Sequence, residues 1–318
     1  MRCSTRGCAP LEPGVVTGAA GRGSAAVRQA LGSVWQCLGR RGRLGALLLL
    51  GVALAALLAP VLSPYDPLQL DGRVLLRAPS LRHPLGTDPY GRDTLTRILV
   101  GVQHSLFTAG LAVALALVGG GGAGLVAGYY GGRLDQLLCR IADVFLSLPA
   151  LLLCLSILAF LDGGELGTGD GLMRRYNVAL AIGIIYIGPL LRVTRAAVLT
   201  VRHETYVEAC RALGGTDWHI LWRTVLPNAA GPILIEVTLR LASALLAEAS
   251  LSFLGLGTQP PAPSWGEMIA DGRRYLLLSP WGSVAPGVLL AVMVLGCNLL
   301  GDGLRIALGQ SGEADASA

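Results

Sequence analysis

A chain of 318 residues with 53% hydrophobic and only 14% charged residues is no ordinary soluble domain, in which about a quarter of residues are charged. Its formal net charge is +5, and all 25 basic residues are Arg. The seven cysteines show neither metal-site spacing nor a disulfide framework, and no Gly-rich turn leads into Lys-Ser or Lys-Thr, so the reading is an all-α polytopic membrane protein without its own nucleotide site.

Residues 1–43 hold Arg2, Arg6, Arg22, Arg28, Arg40, Arg41 and Arg43 against one acid, Glu12. They read as a basic cytoplasmic tail that orients the first span rather than as a nucleic-acid arm. Residues 44–62 are an unbroken apolar run of about 19 residues, long enough to cross a hydrocarbon core and longer than a signal-peptide core. They form the first transmembrane anchor, and an external loop, 63–104, follows. Within it, Asp93 is placed to cap a helix entering the second span, and the Gly and Pro residues fix the entry turn. The density of Asp, Thr and Arg also suits a ligand loop. Gly86-Thr87-Asp88 with Gly91-Arg92-Asp93 resembles the G-T-D-x-x-G-R-D signature of C-type subunits in dipeptide, oligopeptide and nickel ABC-importer permeases.

The second span, 105–128, carries Gly120, Gly124 and Gly128 on one helix face, which predicts close packing against another helix. Tyr129-Tyr130-Gly131-Gly132-Arg133 makes a cytoplasmic turn. The third span, 134–161, places Arg140 and Asp143 three apart, where they can pair, and Pro149 should kink it. Residues 162–176 read as an external connector. Asn177 is expected to cap the fourth span, which thins near Pro189 and continues through Arg192, Arg195 and Arg202.

Tyr206 to Asn228 is a polar island between apolar runs. Residues 206–213 read as a short helix, Gly214-Gly215 as its stop, and Thr216 or Asp217 as the cap of a second helix that Pro227 ends and Asn228 follows as the next cap. The shape is a helix–turn–helix lever at the membrane surface, or else a structured loop that merely joins two spans. Glu208-Ala209-Cys210, then Gly214, then Leu226-Pro227 resembles the E-A-A signature of bacterial ABC-importer permeases, with Cys210 in place of the second Ala. That resemblance implies a coupling loop, 206–228, docking on a cytoplasmic ATPase through Tyr206, Glu208, Ala209, Cys210, Gly214, Asp217, Leu226 and Pro227.

The fifth span, 229–256, puts Glu236 and Arg240 one turn apart as a structural pair. Glu248, Ser250 and Ser252 belong to a run, Glu248 to Gly257, shared with the same permeases, and serve as either path lining or helix–helix glue. Trp265 and Trp281 are expected as interfacial anchors around a short surface helix, Ser264 to Asp271, stopped by Gly272. The sixth span is 283–308, and the acidic tail, 309–318, should be disordered. Six transmembrane helices put both termini inside.

Over residues 44–308 the resemblance implies the type I ABC-importer permease fold, with 105–308 as the transmembrane core. It further implies a bacterial inner-membrane importer of di- or oligopeptides, or of nickel or glutathione through the same machinery. The partners would be a second permease subunit, two ATPase subunits that bind ATP and Mg, an external substrate-binding protein and the bilayer, with no nucleic acid. This chain would bind no metal or cofactor and catalyse nothing; His83, His104, His203 and His219 are scattered. An ion-coupled secondary transporter would need midplane carboxylates in repeated halves, and here Glu248 stands alone.

Overall fold

The computed structural model describes residues 38–63, 65–162 and 171–309; the expectations for most of the basic tail, part of the external connector and most of the acidic tail lie outside them. The described residues form helices, with one isolated bridge between Thr87 and Asp93. In chain order these are α1 (Gly39–Leu57), α2 (Ala59–Leu62), α3 (Thr94–Tyr130), α4 (Gly132–Ser147), α5 (Ala150–Leu161), α6 (Gly171–Val201), α7 (Thr205–Ala212), α8 (Asp217–Phe253), α9 (Trp265–Arg273) and α10 (Trp281–Ala307). By length and composition α3, α6, α8 and α10 can each cross a membrane, and α4 with α5 can do so as one span bent by 97°. The apolar run at 44–62 is divided between α1 and α2, which meet at Leu58.

The end of the bundle where α3 begins is here termed upper, and the end where it stops lower. Glycine determines how the helices approach. A Cβ on Gly124 would lie 2.6 Å from the Leu191 carbonyl oxygen, one on Gly128 2.8 Å from Val198, and one on Gly120 would collide with the Ile187 backbone. The predicted glycine face of α3 therefore presses directly on α6. On the other flank α1 lies along α10 by the same device, with a Cβ on Gly42 falling 2.7 Å from Gly303 Cα and one on Gly45 2.6 Å from Gly296 O.

Two apolar cores result. The upper one joins Val102 and Val113 of α3, Leu158 of α5, Ile182 of α6, Leu245 of α8 and Met293 of α10. The lower one joins Leu125 and Tyr129 of α3, Val198 of α6, Val207 of α7, and Ile220 and Val225 of α8.

Several sequence expectations need correction. The third span is two helices, because Leu148, preceding a proline, takes an extended conformation (φ −94°, ψ 142°) and ends α4. Arg140 and Asp143 are not a pair: α4 lies beside α6, so Asp143 meets Arg192 and Asp135 takes Arg195, while Arg140 faces outward. Asn177 sits inside α6, its side-chain amide donating to Asp162 Oδ1 at 2.8 Å rather than capping. Pro227 does not end a helix. Residues Leu221–Val225 form a π turn, which loosens the ladder where the proline ring would press on the carbonyl of Arg223, and α8 runs on through it. Asn228 consequently lies inside α8 and donates to Thr224 O at 2.6 Å. Trp265 is fully buried and donates from Nε1 to Ile98 O at 3.1 Å, so it anchors α9 to α3 rather than to an interface.

Candidate functional site

The elbow between α6 and α8 is built from a few local devices. Gly214 adopts φ +82°, a region costly for any residue with a Cβ, and reverses the chain after α7. Gly215 N donates to Cys210 O at 3.1 Å, and a Cβ at residue 215 would stand 2.9 Å from that oxygen. Of the two candidate caps for the second helix, Thr216 takes the role, accepting from His219 N at 3.4 Å. Asp217 is thereby free to accept a hydrogen bond from the Tyr129 hydroxyl at 2.8 Å. Val207 and Ile220 are wholly buried and pin the two arms of the elbow to the lower core.

Among the expected docking residues, Tyr206, Glu208, Ala209, Gly214, Asp217 and Pro227 are exposed, while Cys210 and Leu226 are partly buried against the lower core. Burial beside Glu204 pushes the Tyr206 hydroxyl above its ordinary pKa. Residues 206–217 belong to the elbow itself, whereas Leu226 lies farther along α8 and lines a different feature. That feature is an apolar groove of about 400 Å³ bounded by Leu117, Gly121, Thr194, Trp222, Leu226 and Ile233. Sequence reasoning missed Tyr129 and Arg202 as elbow residues. Arg202 Nη1 donates to the last carbonyls of α3, Gly128 O at 2.9 Å and Tyr129 O at 3.2 Å. It also missed the exposed pair Trp218 and Trp222, whose rings are tilted at 56° with centres 5.3 Å apart. Their spacing of four on a helix was the available signal.

The polar run of α8 does not converge. Glu248 is 1% exposed and accepts from Ser252 Oγ at 2.8 Å, while its Oε2 has no hydrogen-bond partner among the described residues. Ser105 of α3 lies beside it. Ser250, about 200° around the helix from Glu248, is half-buried elsewhere and donates back to Leu246 O at 2.7 Å. Glu236 and Arg240 do pair, at 2.5 Å, and the Arg240 guanidinium sits 5.6 Å from the centre of the Tyr186 ring.

At the upper end the Asp- and Arg-rich loop closes on itself. Asp93 caps α3 as expected, accepting from Thr96 N at 2.8 Å, and also meets His83 Nδ1 at 2.9 Å. Arg92 Nε donates to Asp88 Oδ2 at 2.6 Å, and buried Arg97 stands 3.7 Å from both Asp88 and Glu267 of α9. Burial pushes the Glu267 carboxyl above its usual range, and the Arg97 charge partly offsets this. Gly86 and Gly91, at φ +72° and +76°, bring this loop against the backbone of Arg77 and Asp71. Its charged groups are thus occupied by one another. No group of three or more His, Cys, Asp or Glu suited to a metal ion occurs among the described residues.

Comparison with known proteins adds an independent line. Residues 120–311 match the family described as binding-protein-dependent transport system inner membrane component. The chain is 40% identical over 282 residues, 86% of its length and 90% of the relative's, to the di/tripeptide transport system permease protein DppC of Pseudomonas aeruginosa. It is 38% identical over 264 residues to the dipeptide transport system permease protein DppC of Alkalihalophilus pseudofirmus, covering 83% of this chain and 84% of that one. The glutathione transport system permease protein GsiD of Pectobacterium atrosepticum is 38% identical over 265 residues, 83% of this chain and 84% of the relative. Among solved structures, an inward-facing MetNI methionine ABC transporter chain shares the fold, with a TM-score of 0.51 and 24% identity over 66% of this chain and 94% of that one. A bundle of long apolar helices with an exposed elbow, matched along three fifths of its length to this family, is a transport permease and not an enzyme: the chain belongs to the binding-protein-dependent transport system inner membrane components.

Proposed function

We propose that this chain forms half of the translocation path of an ATP-driven importer of di- and oligopeptides. The observation that carries the cargo is the 38–40% identity to dipeptide and di/tripeptide permeases over more than four fifths of the chain. The second permease subunit forms the other half, two ATPase subunits hydrolyse ATP with Mg at the lower end, and a substrate-binding protein delivers peptide at the upper end. Six spans cross the membrane: residues 44–62, then α3, α4 with α5, α6, α8 and α10, with both termini on the cytoplasmic side. The likeness to a glutathione permease supports a second cargo, itself a small peptide, through the same path.

The 206–228 elbow takes the push of the ATPases. Its exposed Tyr206, Glu208, Ala209, Gly214, Asp217 and Pro227 form the docking surface, and the partly buried Cys210 and Leu226 hold that surface on the core. Because α6 enters the elbow and α8 leaves it, a displacement there passes along two stiff helices and exchanges inward for outward access. Glu248, Ser250 and Ser252 tune the path from α8; Glu248 and Ser252 do so from within the bundle, since both are buried. Uptake of labelled di- and tripeptides against nickel, in cells with and without the gene, tests the reading. Peptide uptake that depends on the gene supports it, and gene-dependent nickel uptake without peptide uptake overturns it.

A further inference from the structure

Each of the three helices that joins the upper and lower cores runs unbroken but carries a local irregularity in its hydrogen-bond ladder. On α3 the upper core ends at Val113 and the lower begins at Leu125, and residues Leu117–Gly121 between them form a π turn. On α6 the corresponding limits are Ile182 and Ala197, and Pro189 lies between. On α8 they are Ala242 and Ile233, and Pro232 lies just inside the lower core, between its members Ala229 and Ile233. A π turn leaves the α ladder one residue out of step, and each proline deprives the carbonyl four residues earlier of its donor. These irregular sites also lie at one level. Gly120 abuts the Ile187 backbone, two residues from Pro189, and Val118 shares the apolar groove with Ala230 and Leu234, on either side of Pro232. Thr194, fully buried on the groove wall, has a hydroxyl without a hydrogen-bond partner among the described residues.

Below that level the parts are cross-tied. Chain continuity links α6 to the elbow and the elbow to α8, whereas α3 meets α6 through its glycine face and meets the elbow through side chains. Tyr129, 7% exposed, has its ring in the lower core and its hydroxyl on Asp217 Oδ1 at 2.8 Å, a contact spanning 88 residues. The Arg211 guanidinium of α7 stands 6.0 Å from the same ring, and Arg202 holds the carbonyls at the end of α3.

We propose that Tyr129 is a positioning residue for transport: its hydrogen bond to Asp217 ties the lower end of α3 to the elbow, so that a displacement of the elbow carries residues 122–130 with it, and the irregular ladders at 117–121, 189 and 232 are where the three helices yield. The inference rests on the elbow being the ATPase-driven lever, and it adds that the push reaches a third helix to which the lever has no chain connection.

The test uses the full complex with its ATPase, permease and binding-protein partners, reconstituted in vesicles with a labelled dipeptide. Tyr129→Phe keeps the ring in the core and removes only the hydroxyl. The expected result is that ATPase subunits still co-purify and hydrolyse ATP, while peptide transported per ATP falls about two- to tenfold, the range set by one hydrogen bond. Asp217→Ala should give a drop of similar size, and the double variant should be no lower than the more affected single one. An unchanged transport-to-hydrolysis ratio in Tyr129→Phe, or additive drops in the double variant, would overturn the proposal. If Tyr129→Phe does not accumulate in the membrane, an unchanged ratio in Asp217→Ala overturns it equally. Failure of the ATPase subunits to co-purify with the unsubstituted protein would instead remove the lever reading itself.

Discussion

The upper loop and the lower elbow are both polar segments between apolar helices, yet they are finished differently. In the upper loop Asp88, Arg92, Asp93, Thr96 and Arg97 are all buried and bonded to one another or to α9. In the elbow the large side chains face outward, with Leu213 at 88% and Trp218 at 68% exposure. Exposed apolar groups of that size on a short helical hairpin suit the docking role proposed above. The charged groups of the upper loop are thus paired within the chain, whereas the elbow, on the function proposed above, is completed by a partner. Damage to the first should appear as lost protein, and damage to the second as lost transport by intact protein.

The largest effect is expected for Arg97→Met. It leaves the carboxylates of Asp88 and Glu267 buried without their shared cation, and removing one member of such a set costs about 3–5 kcal/mol. Thermal unfolding of the purified protein should show the loss, and a midpoint equal to wild type would mean that the upper loop is not the clamp described here. Next comes Gly124→Val, which drives a branched side chain into the Leu191 carbonyl and should cost about 1–3 kcal/mol by overpacking. At the other end, Gly214→Pro cannot adopt φ +82° and should abolish transport while the protein remains inserted; normal uptake would show that the elbow is not the lever. Trp218→Ala, at an exposed site, should shift stability by less than about 0.5 kcal/mol yet weaken ATPase co-purification. Smallest of all, Glu248→Ala should change the uptake rate without changing assembly, and wild-type uptake of every peptide tried would take Glu248 out of the path.

How much of this was legible in the sequence follows the range of each interaction. The Asp93 cap, the Glu236–Arg240 pair and the Gly120, Gly124 and Gly128 face depend on spacings of three or four residues, and all are present. Arg140 and Asp143 satisfied the same spacing rule, but Asp143 found Arg192 on another helix, 49 residues away. Spacing shows that two charges can meet, and tertiary packing decides whether they do. Pro149 and Pro227 were both read as interruptions, with opposite outcomes. The first has an extended Leu148 before it and a bend of 97°, while the second is absorbed by the π turn preceding it. A π turn has no sequence signature of comparable strength, so the continuity of α8 could not be read in advance. Trp265 shows the same limit, because its aromatic ring suits an interface as well as a core and only the carbonyl of Ile98 settles the matter.

The contact of α3 with α6 through bare backbone has a mechanical corollary. Where side chains interdigitate, two helices can shift by fractions of an ångström as rotamers adjust, but Gly120, Gly124 and Gly128 offer no rotamers. The next register that restores the fit lies four residues along, a slip of about 6 Å. Between such notches the two rods behave as a single girder, and whatever opens or shuts in this protein must open or shut around it.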